Sequence, residues 1–293
     1  MTEDSADLLS EVMSVYQVRA SVSDVFEVCG AWRYDEPQLG RAYLHLILDG
    51  ESWLRQAGSE PLRIGPDDLV VFPRGTAHVM LPYAPPGQLA RTEQSCTMLC
   101  SEIDFLPATH NPLLAALPDM IVVNDQEAGS RFRQVAQLLR DEKHAARPGS
   151  QALVDRLCDA LFVMAVRHHV SSTTRPQGLI AAMREPRLGR ALSAMHREIA
   201  RDWTVADLAT EAHMSRTAFA EHFSSVLGQT PIHYLTELRI ALAERLLQQP
   251  RATVAQVAGE LGYQTEAAFR KAFKRLRGVG PGSVRRGGVD KLL

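Results

Sequence analysis

One segment of this chain occurs twice, and the duplication constrains the fold more than any other feature. The stretch "TVADLATEA" at 204–212 returns as "TVAQVAGEL" at 253–261, an offset of 49 residues. Beyond a short turn the offset becomes 50, pairing Phe219 with Phe269, Phe223 with Phe273, Gly228 with Gly278 and Pro231 with Pro281. A pattern repeated over this length means one supersecondary unit made twice, with a one-residue difference in its turn. Each copy opens on a capping-box pattern, Thr204-x-x-Asp207 and Thr253-x-x-Gln256. A short helix with small or aliphatic inward positions follows (Ala206, Leu208, Ala209; Ala255, Val257, Ala258), then the turn "HMS" or "GYQT". A second amphipathic helix carries the phenylalanine pair. Short helix, tight turn and second helix make the helix-turn-helix plan, whose second helix enters a major groove.

The second helix of the second copy, "YQTEAAFRKAFKRLRG", bears Arg270, Lys271, Lys274, Arg275 and Arg277 with no acid among those eight residues. The first copy has Ala220, Glu221, Ser224 and Ser225 at matching places. Phe269 and Phe273 stand four apart, as do Phe219 and Phe223, so both pairs read as core. The cations on the other face read as phosphate-neutralising. Between the copies, "IHYLTELRIALAERLLQQ" would form a helix of roughly 27 Å at about 1.5 Å per residue. That length is close to the ~34 Å separating successive major-groove faces, so one chain could reach two adjacent groove segments.

Charge agrees with that division. Residues 1–180 hold 15 Lys/Arg against 23 Asp/Glu, whereas 181–293 hold 17 against 11. An acidic body with a basic end directs a polyanionic partner to the C-terminal part. At 293 residues two domains are expected. Apolar runs such as "LFVMAV" fall far short of the ~18 residues of a membrane span. "MTEDSADLL" lacks the basic start and apolar block of a signal peptide, so a cytoplasmic protein without a membrane partner is expected. Four cysteines (Cys29, Cys96, Cys100, Cys158) are too few for a disulfide framework. On one strand Cys96 and Cys100 would lie roughly 13 Å apart, too far to bond to each other.

From about Leu8 to Phe105 the chain reads as short strands at intervals of about ten residues, pointing to a sandwich or barrel. Two helices are expected next. "SRFRQVAQLLRDEKH" sets Phe132, Val135, Ala136 and Leu139 on one stripe. "QALVDRLCDALFVMAVRHHV" is apolar over so wide an arc that it needs two partners, one of them a second copy of the chain. The polar "SSTTRPQG" at 171–178 reads as a linker. The expected fold is α+β: a β sensor domain over 8–105, a dimerising helical segment over 106–170, the linker, and an all-α domain over 179–293.

Residues from about 185 to 287 resemble the AraC-type DNA-binding domain of bacterial transcription regulators. "WTVADLATEAHMSRTAFAEHF", "LGQTPIHYLTELRIALAERLL" and "VAQVAGELGYQTEAAFRKAFKRLRGVGPGSVRR" carry the resemblance. It implies two helix-turn-helix units joined by a long helix, with double-stranded DNA and RNA polymerase as partners. It also implies that Ser215, Arg216 and Thr217 open the first reading helix, and that Gln264, Thr265, Glu266 and Arg270 belong to the second. Lys271 and Lys274 join that DNA-binding set on charge. The front domain, "HLILDGESWLR…IGPDDLVVFPRGTAHVM", resembles a cupin barrel, with "PRGTAH" matching the second cupin motif.

A metal-dependent cupin enzyme needs several converging ligands. His78 stands in place for one and His45 points near it, but no His-x-His pair precedes "YLHLILDG". No metal, cofactor or catalytic residue is therefore expected; the enzyme with a nucleic-acid-binding domain stands as the competing reading. The expected function is sequence-specific transcription regulation controlled by a signal at the barrel. That signal is a small ligand lined by His45, Trp53 and His78, or else thiol oxidation through Cys29 with Cys96 or Cys100, helped by Arg33 or Arg91 as a nearby cation.

Overall fold

The computed structural model describes residues 7–38, 40–83, 95–106, 110–145 and 147–284, with the side chains of 24, 125–128, 130 and 144 excepted. Arg91 lies outside them. The chain divides into two compact units, one of Val18–Asp104 and Leu117–Thr174, the other of Met1–Gln17, Phe105–Ala116 and Arg175–Leu293.

The strands are β1 (Gln17–Cys29), β2 (Tyr34–Glu36), β3 (Ala42–Gly50), β4 (Ser52–Gln56), β5 (Leu62–Ile64), β6 (Leu69–Phe72), β7 (His78–Pro82), β8 (Ser95–Leu106) and β9 (Ile121–Val123). The first helices in chain order are α1 (Leu8–Val15), α2 (Pro112–Ala116), α3 (Asp125–Ala145) and α4 (Ser150–Ser172). Then come α5 (Gly178–Arg184), α6 (Pro186–Arg197), α7 (Val205–Glu211) and α8 (Arg216–Leu227). The last are α9 (Pro231–Leu247), α10 (Val254–Glu260), α11 (Glu266–Arg277) and α12 (Pro281–Val284). No helix among the described residues is long and apolar enough to cross a membrane.

In the first unit a five-stranded sheet, ordered β1-β8-β3-β6-β9, faces a four-stranded sheet ordered β2-β7-β4-β5. Tyr43, Ile47, Val70, Phe72, Met98 and Cys100 from one sheet meet Leu54, Ile64 and Met80 from the other. Strand β3 is buried from Ala42 to Leu48 because both of its faces are covered. Its odd-numbered residues turn to the partner sheet; on the opposite side α3 packs on β3, and α4 on β6 and β9. Such double covering makes the strand a continuous apolar run, without the alternation of a half-buried one. Two carboxylates one turn apart on α4 also fasten β1: Asp159 accepts from the Ala20 amide at 2.6 Å and Asp155 from the Val22 amide at 3.0 Å. At Gly75 the chain turns with φ +62°, and a Cβ would stand 1.9 Å from the Arg41 carbonyl oxygen. Only glycine fits that approach.

The helical unit holds the duplicated pattern. Both capping boxes are formed: Thr204 accepts from the Asp207 amide and Thr253 from the Gln256 amide, each at 3.2 Å, with the partner side chains returning to the cap. The two turns match as well. Met214 N bonds to Ala209 O at 2.9 Å and Tyr263 N to Ala258 O at 3.0 Å. His213 and Gly262 hold equivalent left-handed conformations, φ 51° and 77°. The extra residue of the second copy falls after this point, between Tyr263 and the helix cap. Of the expected inward positions, Leu208, Ala209, Val257 and Ala258 are buried, while Ala206 and Ala255 are exposed and Val254 is buried instead.

Two stretches differ from the sequence reading. Leu8–Val15 is a helix and not a strand; Leu8, Val12 and Val15 share a buried stripe and the Asp7 side chain accepts from the Ser10 amide. It belongs to the helical unit, where Glu11 accepts from Ser193 on α6 at 2.6 Å and Arg245 on α9 donates to the Ser14 carbonyl. Inside the stretch expected to be helical, Ile121–Val123 forms β9 on the edge of the larger sheet. A three-residue apolar run has no periodicity by which to tell strand from helix.

Candidate nucleic-acid interface and barrel interior

Helices α8 and α11 are built alike. Ser215 caps the first, accepting from the Ala218 amide at 3.3 Å, and Thr265 caps the second, accepting from Ala268 at 3.2 Å. Gly228 and Gly278 end them in the left-handed conformation. Phe219, Phe223, Phe269 and Phe273 are all fully buried. Phe223 meets Tyr234 of α9 edge-on at 5.9 Å, and Phe269 meets Tyr263 at 5.3 Å. With one face pinned, the opposite face is presented outward. Ser215, Arg216 and Thr217 are exposed at the start of α8; Gln264 and Thr265 lead into α11, and Arg270, Lys271, Lys274 and Arg275 are exposed along it. Glu266, half-buried, binds Arg270 one turn on: Oε1 accepts from Nε at 2.6 Å.

Arg277 departs from the expected cationic face. Its side chain is 4% exposed and donates through Nε to Glu244 of α9 at 2.9 Å, the carboxylate being 7% exposed. Spacing explains this: Phe269, Phe273 and Arg277 are successive i, i+4 positions, so the arginine follows the phenylalanines inward. Burial pushes the Glu244 carboxyl up while the guanidinium pulls it down.

In the β unit, His45 and His78 do come together, with Nε2 atoms 2.8 Å apart. His78 Nδ1 lies 2.9 Å from the Thr76 carbonyl oxygen and must donate to it, which leaves His78 Nε2 as acceptor. His45 Nε2 therefore carries the proton, and His45 Nδ1 accepts from the Cys100 thiol at 3.0 Å. Both imidazoles are neutral in this chain of bonds. Burial, aided by His78, brings His45 down to about 3, and burial lowers His78 as well. Tyr34 and Glu36 of β2, joined at 2.5 Å, border the pair: the Tyr34 ring lies 6.1 Å from that of His45, and Glu36 pairs with His78 across the strands. The sequence reading missed both. Their i, i+2 spacing in "RYDEP" was the available signal.

Trp53 does not join the histidines. On β4 it alternates with the buried Ser52 and Leu54 and lies on the other face, its ring tilted against that of Tyr83 at 4.9 Å. The strand period of two sends it outward. Cys96 and Cys100 face the core; Cys29 is exposed at the end of β1, the strand beside β8. Arg33 is held by Asp35 through two bonds of 2.7 and 2.6 Å. Among the described residues no three His, Cys, Asp or Glu side chains converge as a metal site. The His45 and His78 Nε2 atoms are hydrogen-bonded to each other, and among the described residues no third ligand completes a set with them.

The neutral histidines give the unit an acid sensitivity. In the unfolded chain a histidine takes its proton near pH 6.5, well before folded His45 does, so the stabilisation is complete above that pH and drains away as pH falls toward 3. The expected slope is about 1.4 kcal/mol per pH unit per group. Urea unfolding at pH 7 and pH 5 should show this loss in the β unit, and a smaller loss in His45→Asn. Equal pH dependence in the two proteins would contradict a neutral, buried His45.

A cupin family model matches residues 7–171, and a helix-turn-helix domain model matches 208–287. The RCS-specific HTH-type transcriptional activator RclR of Escherichia coli is 29% identical over 244 residues, 82% of this chain and 83% of that protein. A putative AraC-like transcription regulator of Streptomyces lividans is 30% identical over 300 residues, 96% and 98% of the two chains. Among solved structures, the DNA-binding domain of AdpA in complex with a target DNA is 29% identical over 35% of this chain and 92% of that one, with a TM-score of 0.33.

Proposed function

Since this chain belongs to the AraC-like transcription regulators, with a cupin domain ahead of its helix-turn-helix domain, we propose that it reads double-stranded DNA through both α8 and α11 and that a signal at the barrel controls promoter binding or activation. The observation that carries the reading is the duplicated unit, whose buried phenylalanines hold an exposed face on each second helix. Ser215, Arg216, Thr217, Gln264, Thr265, Glu266, Arg270, Lys271 and Lys274 are the contact set. Arg270 and Glu266, already joined, meet base edges together, whereas Lys274 meets phosphate. Arg270→Ala should relax base preference in a competition among related duplexes, at about 1–3 kcal/mol for the position it reads. Lys274→Ala should weaken all duplexes evenly and reduce the salt slope by about 1. Undiminished affinity in both variants would reject this use of α11.

The signal is a small ligand whose polar group exchanges with the bonds among His45, His78, Tyr34 and Glu36. Support comes from the burial of the two histidines within an otherwise apolar interior, with the half-buried Tyr34 and Glu36 at their edge. A thiol signal is favoured by one specific observation, the exposure of Cys29 beside the strand that carries Cys96 and Cys100. Mass spectrometry after mild oxidant separates the two. A shift lost in Cys29→Ser supports the thiol; unmodified thiols with unchanged DNA binding remove it. Pairing of two chains through α3 and α4 is proposed from Leu138 and Leu153, 46% and 40% exposed. RNA polymerase is the further partner and the cytoplasm the compartment.

A further inference from the structure

The two reading helices carry opposite charge at the centre of their exposed faces. Because caps, phenylalanines and terminal glycines of α8 and α11 correspond at an offset of 50, the helices share one rotational phase. Glu221 therefore occupies on α8 the place of Lys271 on α11. At about 100° per residue it stands roughly 160° round the helix from both Phe219 and Phe223, the most outward position available. Glu221 is exposed, and among the described residues it makes no hydrogen bond or ion pair. Its helical neighbours Thr217, Ala218, Ser224 and Ser225 bring no cation to it. The acid of the other helix, Glu266, is neutralised by Arg270 at 2.6 Å.

A bare carboxylate at the centre of a face that enters a major groove meets a field of phosphates. It is tolerated only where it finds a hydrogen-bond donor, and an ionised carboxylate can only accept. Major-groove donors are the amino groups of cytosine and adenine; adenine sets an N7 acceptor beside its donor, whereas guanine and thymine offer acceptors alone. Cytosine is thus the base a carboxylate fits best. We propose that Glu221 is a specificity-determining residue that selects cytosine at one position of the block read by α8, and that it does so chiefly by excluding the other bases. This rests on the two-helix reading proposed above.

The test is selection of the full-length protein on random duplexes, run in parallel with Glu221→Gln and Glu221→Ala. The wild type should enrich two blocks with a near-invariant cytosine at one position of the first. Glu221→Ala should lose preference at that position alone and gain affinity for unselected duplex. Glu221→Gln should shift it toward adenine, whose N6 and N7 a carboxamide can bind together. The cytosine should outcompete other bases at least about fivefold in the wild type, the lower end of a good base contact. An unchanged first block in both variants would overturn the inference while leaving the two-helix reading intact. Absence of any block, with wild type and variants alike, would overturn both.

Discussion

Glu244→Ala is expected to lower the stability of the helical unit by about 3–5 kcal/mol, the usual cost of leaving one half of a buried ion pair without its partner. The Arg277 side chain is nearly sealed from solvent, and among the described residues its Nη1 and Nη2 make no hydrogen bond. Removing the carboxylate would strand a full positive charge at the foot of α11, the helix on which base reading is proposed. Arg277 lies in the last turn of α11, where Gly278 ends the helix. Hydrogen exchange should therefore show lost protection concentrated in α9 and α11. The double variant Glu244→Met with Arg277→Met should regain most of the loss, because apolar side chains of similar volume often replace a buried pair at little cost. A single-variant loss below about 1 kcal/mol would mean that Arg277 reaches water and belongs with the phosphate-facing cations after all.

Phe273→Ala should be comparably severe, at about 3–5 kcal/mol for a buried phenylalanine cut to alanine. Its ring lies 5.7 Å from Phe269 and packs into a cluster drawn from α9, α10, α11 and α12. Phe223, its counterpart, belongs to the other copy and touches Tyr234. The two copies thus have separate cores along one helix. Loss of Phe273 should loosen α11 while α8 keeps its own packing, so DNA affinity should fall through the second block alone. Urea unfolding combined with duplex binding checks this; equal loss at both blocks would show the two copies to be one cooperative core.

What could be read from the sequence divides along physical lines. The duplication was legible because its spacings are local: caps, turn and phenylalanines all lie within about 25 residues, and each is set by helix geometry. The inward turn of Arg277 was legible too, from its place four residues after Phe273, but charge composition outweighed period in the reading. Helix α1 was hidden by its length, since eight residues offer barely two turns of pattern. Trp53 shows the complementary failure. A strand's period of two places residues on opposite faces, but which face meets the partner sheet depends on register that only the paired strands set. The meeting of His45 and His78 came from motif resemblance. The bond between their Nε2 atoms, and the thiol behind His45, needed coordinates, because β3, β7 and β8 are joined through non-local pairing.

The central claim is that one chain presents two equivalent helices to successive major-groove segments. Hydroxyl-radical footprinting of the full-length protein on a selected duplex tests it most directly. Two protected blocks are expected about one helical turn apart, roughly 34 Å, with Arg216→Ala weakening one and Lys271→Ala the other. A single protected block, weakened by substitutions in only one of the two helices, would contradict it.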